Sequence, residues 1–273
     1  MKTRYLSHPE QLDRMGTDQL REQFLIEDLF APGEVRMTST GLDRLIVGGI
    51  IPSSELALPA PPELRSSFFH ERRESGILNI GDPGEVIVDG ISFPLNRLEC
   101  LYIGMGVQDV RFRANPGGQG VFYLLSCPAH RSYPSRSAGI SDAETAAAGS
   151  PATASSRTIH RYIHQGGIQS CQLVMGFTTL QPGSVWNTWP PHSHERRSEV
   201  YLYLDLNQNL LMHFMGTASH SRHLVVRDQQ AVLSPPWSIH CGAGTAPYSF
   251  IWGMAGENKR FDDMDPVVLA EMR

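Results

Sequence analysis

His192 and His194 stand one residue apart, Glu199 follows after four intervening residues, and His240 ends the stretch Ser234-Pro-Pro-Trp-Ser-Ile-His240. Side chains alternate along an extended chain, so His-x-His sends two imidazoles to one face. Glu195, Arg196 and Arg197 fill a corner that can bring Glu199 back beside them. Two imidazoles and a carboxylate suit a borderline divalent metal, and a third imidazole from a neighbouring strand completes the set. Zn²⁺, Mn²⁺, Fe²⁺ or Ni²⁺ would all fit these donors. The chemistry on offer is Lewis-acid polarisation of an oxygen or, with iron, activation of O₂.

The elements that must position these residues read as β. In Glu199–Asp205, one face carries Glu199, Tyr201, Tyr203 and Asp205, and the other Val200, Leu202 and Leu204. A polar face that begins with a metal ligand points to a solvated pocket inside a barrel; the alternative is a sandwich strand with that face in water. Short strands bounded by turn residues run through both halves. Glu85–Val88 meets Asp89-Gly90, a two-residue hairpin signal, and returns through Ile91–Phe93. No helical pattern occurs between about 165 and 255. Thr17–Leu25 has the apolar spacing of a helix, with Thr17 or Asp18 as its cap. Asp265-Pro266 predicts a second short helix at the C-terminus, with Asp as cap and Pro at the first position.

The predicted organisation is all-β: an N-terminal arm (1–34), a β domain without metal (35–137), a linker rich in Ala, Ser, Thr and Gly (138–157) and a metal-binding β domain with its tail (158–273). The arm packs on something else, such as another subunit. His70-Glu-Arg-Arg-Glu74 echoes His194-Glu-Arg-Arg-Ser-Glu199 but lacks His-x-His, so no metal is assigned to the first half. Hydrophobic residues at 41% and charged ones at 19% describe a globular chain, not a disordered one. The net charge of −5 without a basic stripe argues against a nucleic-acid surface. The N-terminus lacks a signal-peptide core, and no apolar run approaches the roughly 18 residues of a membrane span. Cys100, Cys127, Cys171 and Cys241 are widely spaced, which fits a reduced, cytoplasmic protein better than a disulfide framework. Cys241 reads as a small buried hydrophobe facing away from the side that His240 uses.

His-x-His-x₄-Glu with a later Pro-flanked His resembles the metal motif of the cupin superfamily, although Trp237 stands where the second cupin motif usually has glycine. A narrower resemblance is to the 5-keto-4-deoxyuronate isomerases. It is carried by Pro191–Leu204, Trp237–His240, Phe250–Asn258 and Phe261–Asp265. Arg21–Asp28, Arg44–Ile50, Glu71–Glu74 and Ser126–His130 extend it over nearly the whole chain. Departures lie in 138–156 and around Ser155–Tyr162.

The resemblance implies two cupin-like barrels, one Zn²⁺ on His192, His194, Glu199 and His240, and a homo-oligomer, a hexamer. It implies conversion of 4-deoxy-L-threo-5-hexosulose uronate, from pectin or related polyuronides, to 3-deoxy-D-glycero-2,5-hexodiulosonate. Such an aldose–ketose shift needs a base, and the candidates are Glu257, Asp262, Asp263, Tyr201 and His223, with Glu257 preferred because it follows a strand near the metal motif. The substrate carboxylate needs a cation, for which Arg161 and Arg197 are the candidates, with Tyr201 as a further substrate contact. His213 and His223 read as structural. Competing readings are a non-haem iron dioxygenase on the same ligands and a non-catalytic sugar-acid-binding protein.

Overall fold

The computed structural model describes residues 1–5, 7–260 and 263–273. The chain is mostly β and divides into two compact units. The first comprises 1–4, 28–144 and 162–175; the second comprises 5–27, 145–161 and 176–273.

In the first unit a seven-stranded sheet and a four-stranded sheet enclose an apolar core. Its inward residues include Ile46, Ile77, Leu101, Phe112, Phe122 and Leu124, all 0% exposed. The Asp89-Gly90 hairpin forms as its residue types dictate. Both residues take positive φ (46° and 82°), and Gly84–Val88 pairs with Ile91–Leu95. Segment 162–175 is held in this unit by the fully buried Glu74. Its carboxylate accepts the N–H groups of Cys171, Gln172 and Leu173 at 2.7, 2.9 and 2.9 Å and the Tyr102 hydroxyl at 2.8 Å. Three backbone donors on one carboxylate satisfy a charge that burial would otherwise penalise. His70, in the segment that echoes the metal motif, hydrogen-bonds Ser75 Oγ at 2.7 Å.

The second unit again sets a large sheet of seven strands against a smaller one of five. Arg197–Leu204 lies inside the large sheet, between Ser249–Gly256 and Ala231–Ser234. Both of its faces are buried, so it reads as a continuous run of buried residues. The small sheet carries Trp186–Ser193 beside His240–Gly244. Among the described residues no sheet closes on itself, so the architecture is one of facing sheets in each unit. All four cysteines are free, and among the described residues no helix is long and apolar enough to cross a membrane.

Local expectations change at four places. The helix Thr17–Phe24 is present, but Gly16 is its N-cap, with the Gln19 side chain accepting the Gly16 N–H at 3.2 Å. The segment around it packs on its own chain: Leu25–Ile26 pairs with Ala231–Val232, and Phe24 meets Trp237 edge-on at 6.4 Å. At the C-terminus no α-helix starts at Asp265. Asp265–Pro266 instead extends the small sheet beside His192–Ser193, because the Asp265 carboxylate is taken by Arg196 (2.8 Å) and the Glu195 N–H (3.2 Å) and is not free to cap. Only a single 3₁₀ turn, Leu269–Glu271, follows. Within 138–157, Glu144–Ala148 forms an edge strand beside Arg157–Ile163.

Candidate metal centre and its cavity

The chain runs along Trp186–Ser193 in the small sheet, turns at Glu195–Arg196 and returns as Arg197–Leu204 in the large one. That corner places His192 and His194 at the mouth between the two sheets of this unit and aims Glu199 at them from the facing sheet. His240 opens the strand next to His192 and is its direct cross-strand partner. His192 Nε2 lies 3.2 Å from His194 Nε2 and 3.2 Å from His240 Nε2. The three imidazole donors all fall within 4.8 Å of one another. Glu199 Oε2 meets the cluster from the side of His240 (3.1 Å) and His194 (3.6 Å).

Burial keeps these rings neutral: it lowers the pKa of His192 to about 4 and of His194 to about 2, and holds His240 well below the ordinary imidazole value. His240 Nδ1 also meets Ser234 Oγ at 3.4 Å. The Nε2 atoms of the three rings face one another, the side from which imidazoles bind a metal. Glu199 is buried, desolvation pushes its pKa up to about 8, and its Oε2 has no hydrogen-bond partner. Converging lone pairs and an orphaned carboxylate oxygen are repulsive unless a cation sits among them. Ligands bound at about 2.05 Å lie roughly 2.9–3.4 Å apart, close to the separations found. The N₃O donor set therefore fits a borderline divalent metal.

His192, His194 and Glu199 form part of the wall of a cavity of about 230 Å³ that also exposes Arg157, Arg161, Thr188, Tyr201, Trp252 and Met264. Glu199 and Tyr201, from the polar face of their strand, reach this space. Tyr203 lies behind it with its hydroxyl on His213 Nδ1 at 2.7 Å, and Asp205 is exposed past the strand end. The Tyr201 hydroxyl contacts Thr188 Oγ1 at 3.2 Å, and burial with the nearby Glu199 keeps it protonated. Of the two candidate arginines, Arg161 lines the cavity. Arg197 also borders it but is 1% exposed, and its guanidinium is taken by Asp263 and the Arg260 carbonyl.

Glu257 is exposed at the end of Ser249–Gly256 and does not line the cavity; its N–H donates to the Arg196 carbonyl. His223 is exposed, and His213 is buried. Asp263 is occupied by Arg197 and Arg196, and Asp262 lies outside the described residues.

The residue that sequence reasoning passed over is Arg157. Its side chain is partly buried in the cavity wall near Tyr201 and Tyr248, and Nη1 donates to the Ser155 carbonyl at 2.9 Å. Burial lowers its pKa, and no carboxylate lies among its partners in the described residues. A signal was available: Arg157, Ile159 and Arg161 alternate along one strand, so a cavity that takes one takes all three.

Facing sheets with an imidazole triad at their mouth define a β protein with a metal-capable site. Residues 65–267 match the KduI/IolB family, and this chain belongs to it. It is 50% identical to the 4-deoxy-L-threo-5-hexosulose-uronate ketol-isomerase of Opitutus terrae over 276 residues, covering 100% of both chains. The enzyme of the same name from Bacillus subtilis is 49% identical over 97% of each chain. Among solved structures, the fold is similar to an IolB-like protein from Salmonella typhimurium, with TM-score 0.74, 14% identity, and 89% and 96% of the two chains covered. An oxalate decarboxylase structure is similar at TM-score 0.61 and 11% identity, over 89% of this chain and 79% of the other.

Proposed function

We propose that this chain is a ketol-isomerase that converts 4-deoxy-L-threo-5-hexosulose uronate to 3-deoxy-D-glycero-2,5-hexodiulosonate during polyuronide breakdown. Full-length identity of 50% to an isomerase of that name carries the reading. The convergence of His192, His194, His240 and Glu199 at one end of an arginine-bearing cavity supports it. These four side chains would hold Zn²⁺. The bound cation would supply Lewis-acid stabilisation of the negative charge that grows on oxygen as a C–H proton leaves.

The remaining roles fall to this chain's own groups. Arg157, with Arg161 beside it, binds the substrate carboxylate through charge-assisted hydrogen bonds. Tyr201, kept protonated, donates to a substrate oxygen, while Thr188 orients its hydroxyl. Trp252 and Met264 wall the cavity and exclude water, which strengthens each polar contact inside. Arg197 acts indirectly: its pairing with Asp263 fixes the corner from which His194 and Glu199 project. Glu257, outside the cavity, is not carried forward as the base. Each unit is a cupin-like module, and the chain works in the cytoplasm as a homo-oligomer, a hexamer.

The test is an isomerisation assay on the uronate with protein purified without added metal, before and after chelation, alongside metal analysis. Turnover that is lost on chelation and restored by Zn²⁺ is expected. Iron with oxygen consumption, or full turnover in metal-free protein, would defeat the proposal.

A further inference from the structure

The first unit contains a second polar cavity, of about 400 Å³, whose wall includes Arg44, Glu63, Ser66, Arg72 and Arg73. Arg73 is only 8% exposed. Its Nε donates to Ser126 Oγ at 3.1 Å, and its Nη2 donates to the carbonyls of Arg44 (2.7 Å) and Ser126 (2.9 Å). Every one of those acceptors is uncharged, and Nη1 has no acceptor among the described residues. Burial, together with the neighbouring Arg44, lowers the pKa of Arg73 to about 10. A guanidinium in that position lacks an anion.

The rest of the wall points the same way. Ser66 Oγ is buried without a hydrogen-bond partner. Arg72 is held in place by the carbonyls of Leu64 (2.9 Å) and Arg65 (2.8 Å) and pairs with Glu71 at 3.0 Å. Glu63, the one carboxylate in the wall, meets the Met1 amino group at 3.2 Å. Positive charge on Arg44 and Arg73 is therefore left without a carboxylate partner among the described residues.

We propose that this cavity binds a phosphate-type oxyanion, as inorganic phosphate or as the phosphate end of a monoester, on Arg44, Arg73 and Ser66. Two guanidinium groups and a hydroxyl placed around one space match a tetrahedral oxyanion, whereas a carboxylate is satisfied by a single planar fork. The cavity has more room than one phosphate fills, which leaves space for an organic remainder. The site is remote in sequence from the imidazole cluster and lies in the other unit.

The experiment is thermal denaturation and calorimetric titration of the full chain with inorganic phosphate, a hexose phosphate, galacturonate, and sodium chloride at matched ionic strength. A saturable rise in Tm with phosphate or the hexose phosphate is expected. Binding should be about tenfold weaker in Arg44→Gln and in Ser66→Ala, the loss of one charge-assisted contact. Tighter binding of the hexose phosphate than of phosphate identifies the monoester as the ligand, and equal binding identifies the free ion. Isomerase turnover in both variants should match wild type, which also shows that they fold. No saturable response, a response to galacturonate alone, one reproduced by chloride, or one unchanged in both variants would each overturn the proposal.

Discussion

His240 Nε2 lies 3.1 Å from Glu199 Oε2, and the two side chains reach that contact from opposite sheets of the second unit. His240 is placed by pairing with His192 across the small sheet, and Glu199 by its place inside the large one. The site is thus a measure of how the two sheets face each other. With a cation bound there, Glu199 would tie the large sheet to the small one at that mouth.

Replacing Glu199 by Gln keeps the shape and removes the charge. Metal content per chain should fall, and turnover should drop by more than about a hundredfold, since a loss at the ligands exceeds the tenfold to hundredfold typical of their supporting partners. Metal analysis beside steady-state kinetics checks this. Full occupancy with unchanged kcat would remove Glu199 from the ligand set.

Arg157 should act on substrate affinity. Losing a charge-assisted contact of about 1.5–3 kcal/mol predicts a KM about ten- to a hundredfold higher in Arg157→Ala, with kcat changed far less. Arg157→Lys should recover part of the loss, because a point charge replaces the fork incompletely. A fall in kcat at constant KM would assign Arg157 to another role.

His70 sets a pH limit on stability. Burial lowers its pKa to about 3 in the folded chain, against about 6.5 when unfolded. Between those values the unfolded chain binds a proton that the native one refuses, so stability falls as pH drops below about 6.5. At pH 5 the loss from this residue is about 2 kcal/mol. Urea denaturation at pH 7 and pH 5 should show a smaller drop in His70→Gln than in wild type; equal drops would contradict the linkage.

The convergence of His192, His194 and Glu199 was legible because they form a local pattern: His-x-His at a strand end, a short corner, then a carboxylate. The Asp89-Gly90 hairpin was legible for the same reason, since positive φ at two successive positions restricts the residue types. What could not be read were pairings set by distant sequence. Asp265 has the look of a helix cap until Arg196 claims its carboxylate, and Arg197 looks available to substrate until Asp263 is brought against it. Arg157 sits in a stretch whose small residues suggest a linker, and only its neighbours in the sheet show what it faces. Barrel closure was the expectation from resemblance, while strand pairing leaves both sheets of each unit open.

Residues 5–27 belong to the unit that carries the imidazoles, with Phe24 against Trp237 and Leu25–Ile26 on the edge of Ala231–Ser234. A nascent chain must therefore keep its first helix waiting through the synthesis of everything in between. Proteolytic trimming ahead of Asp28 would strip a border strand and bare a ladder of backbone donors and acceptors, which is an invitation to aggregate. The unit that carries the imidazoles is discontinuous in sequence, so a fragment starting at residue 145 would lack the strand Leu25–Ile26 that borders its large sheet.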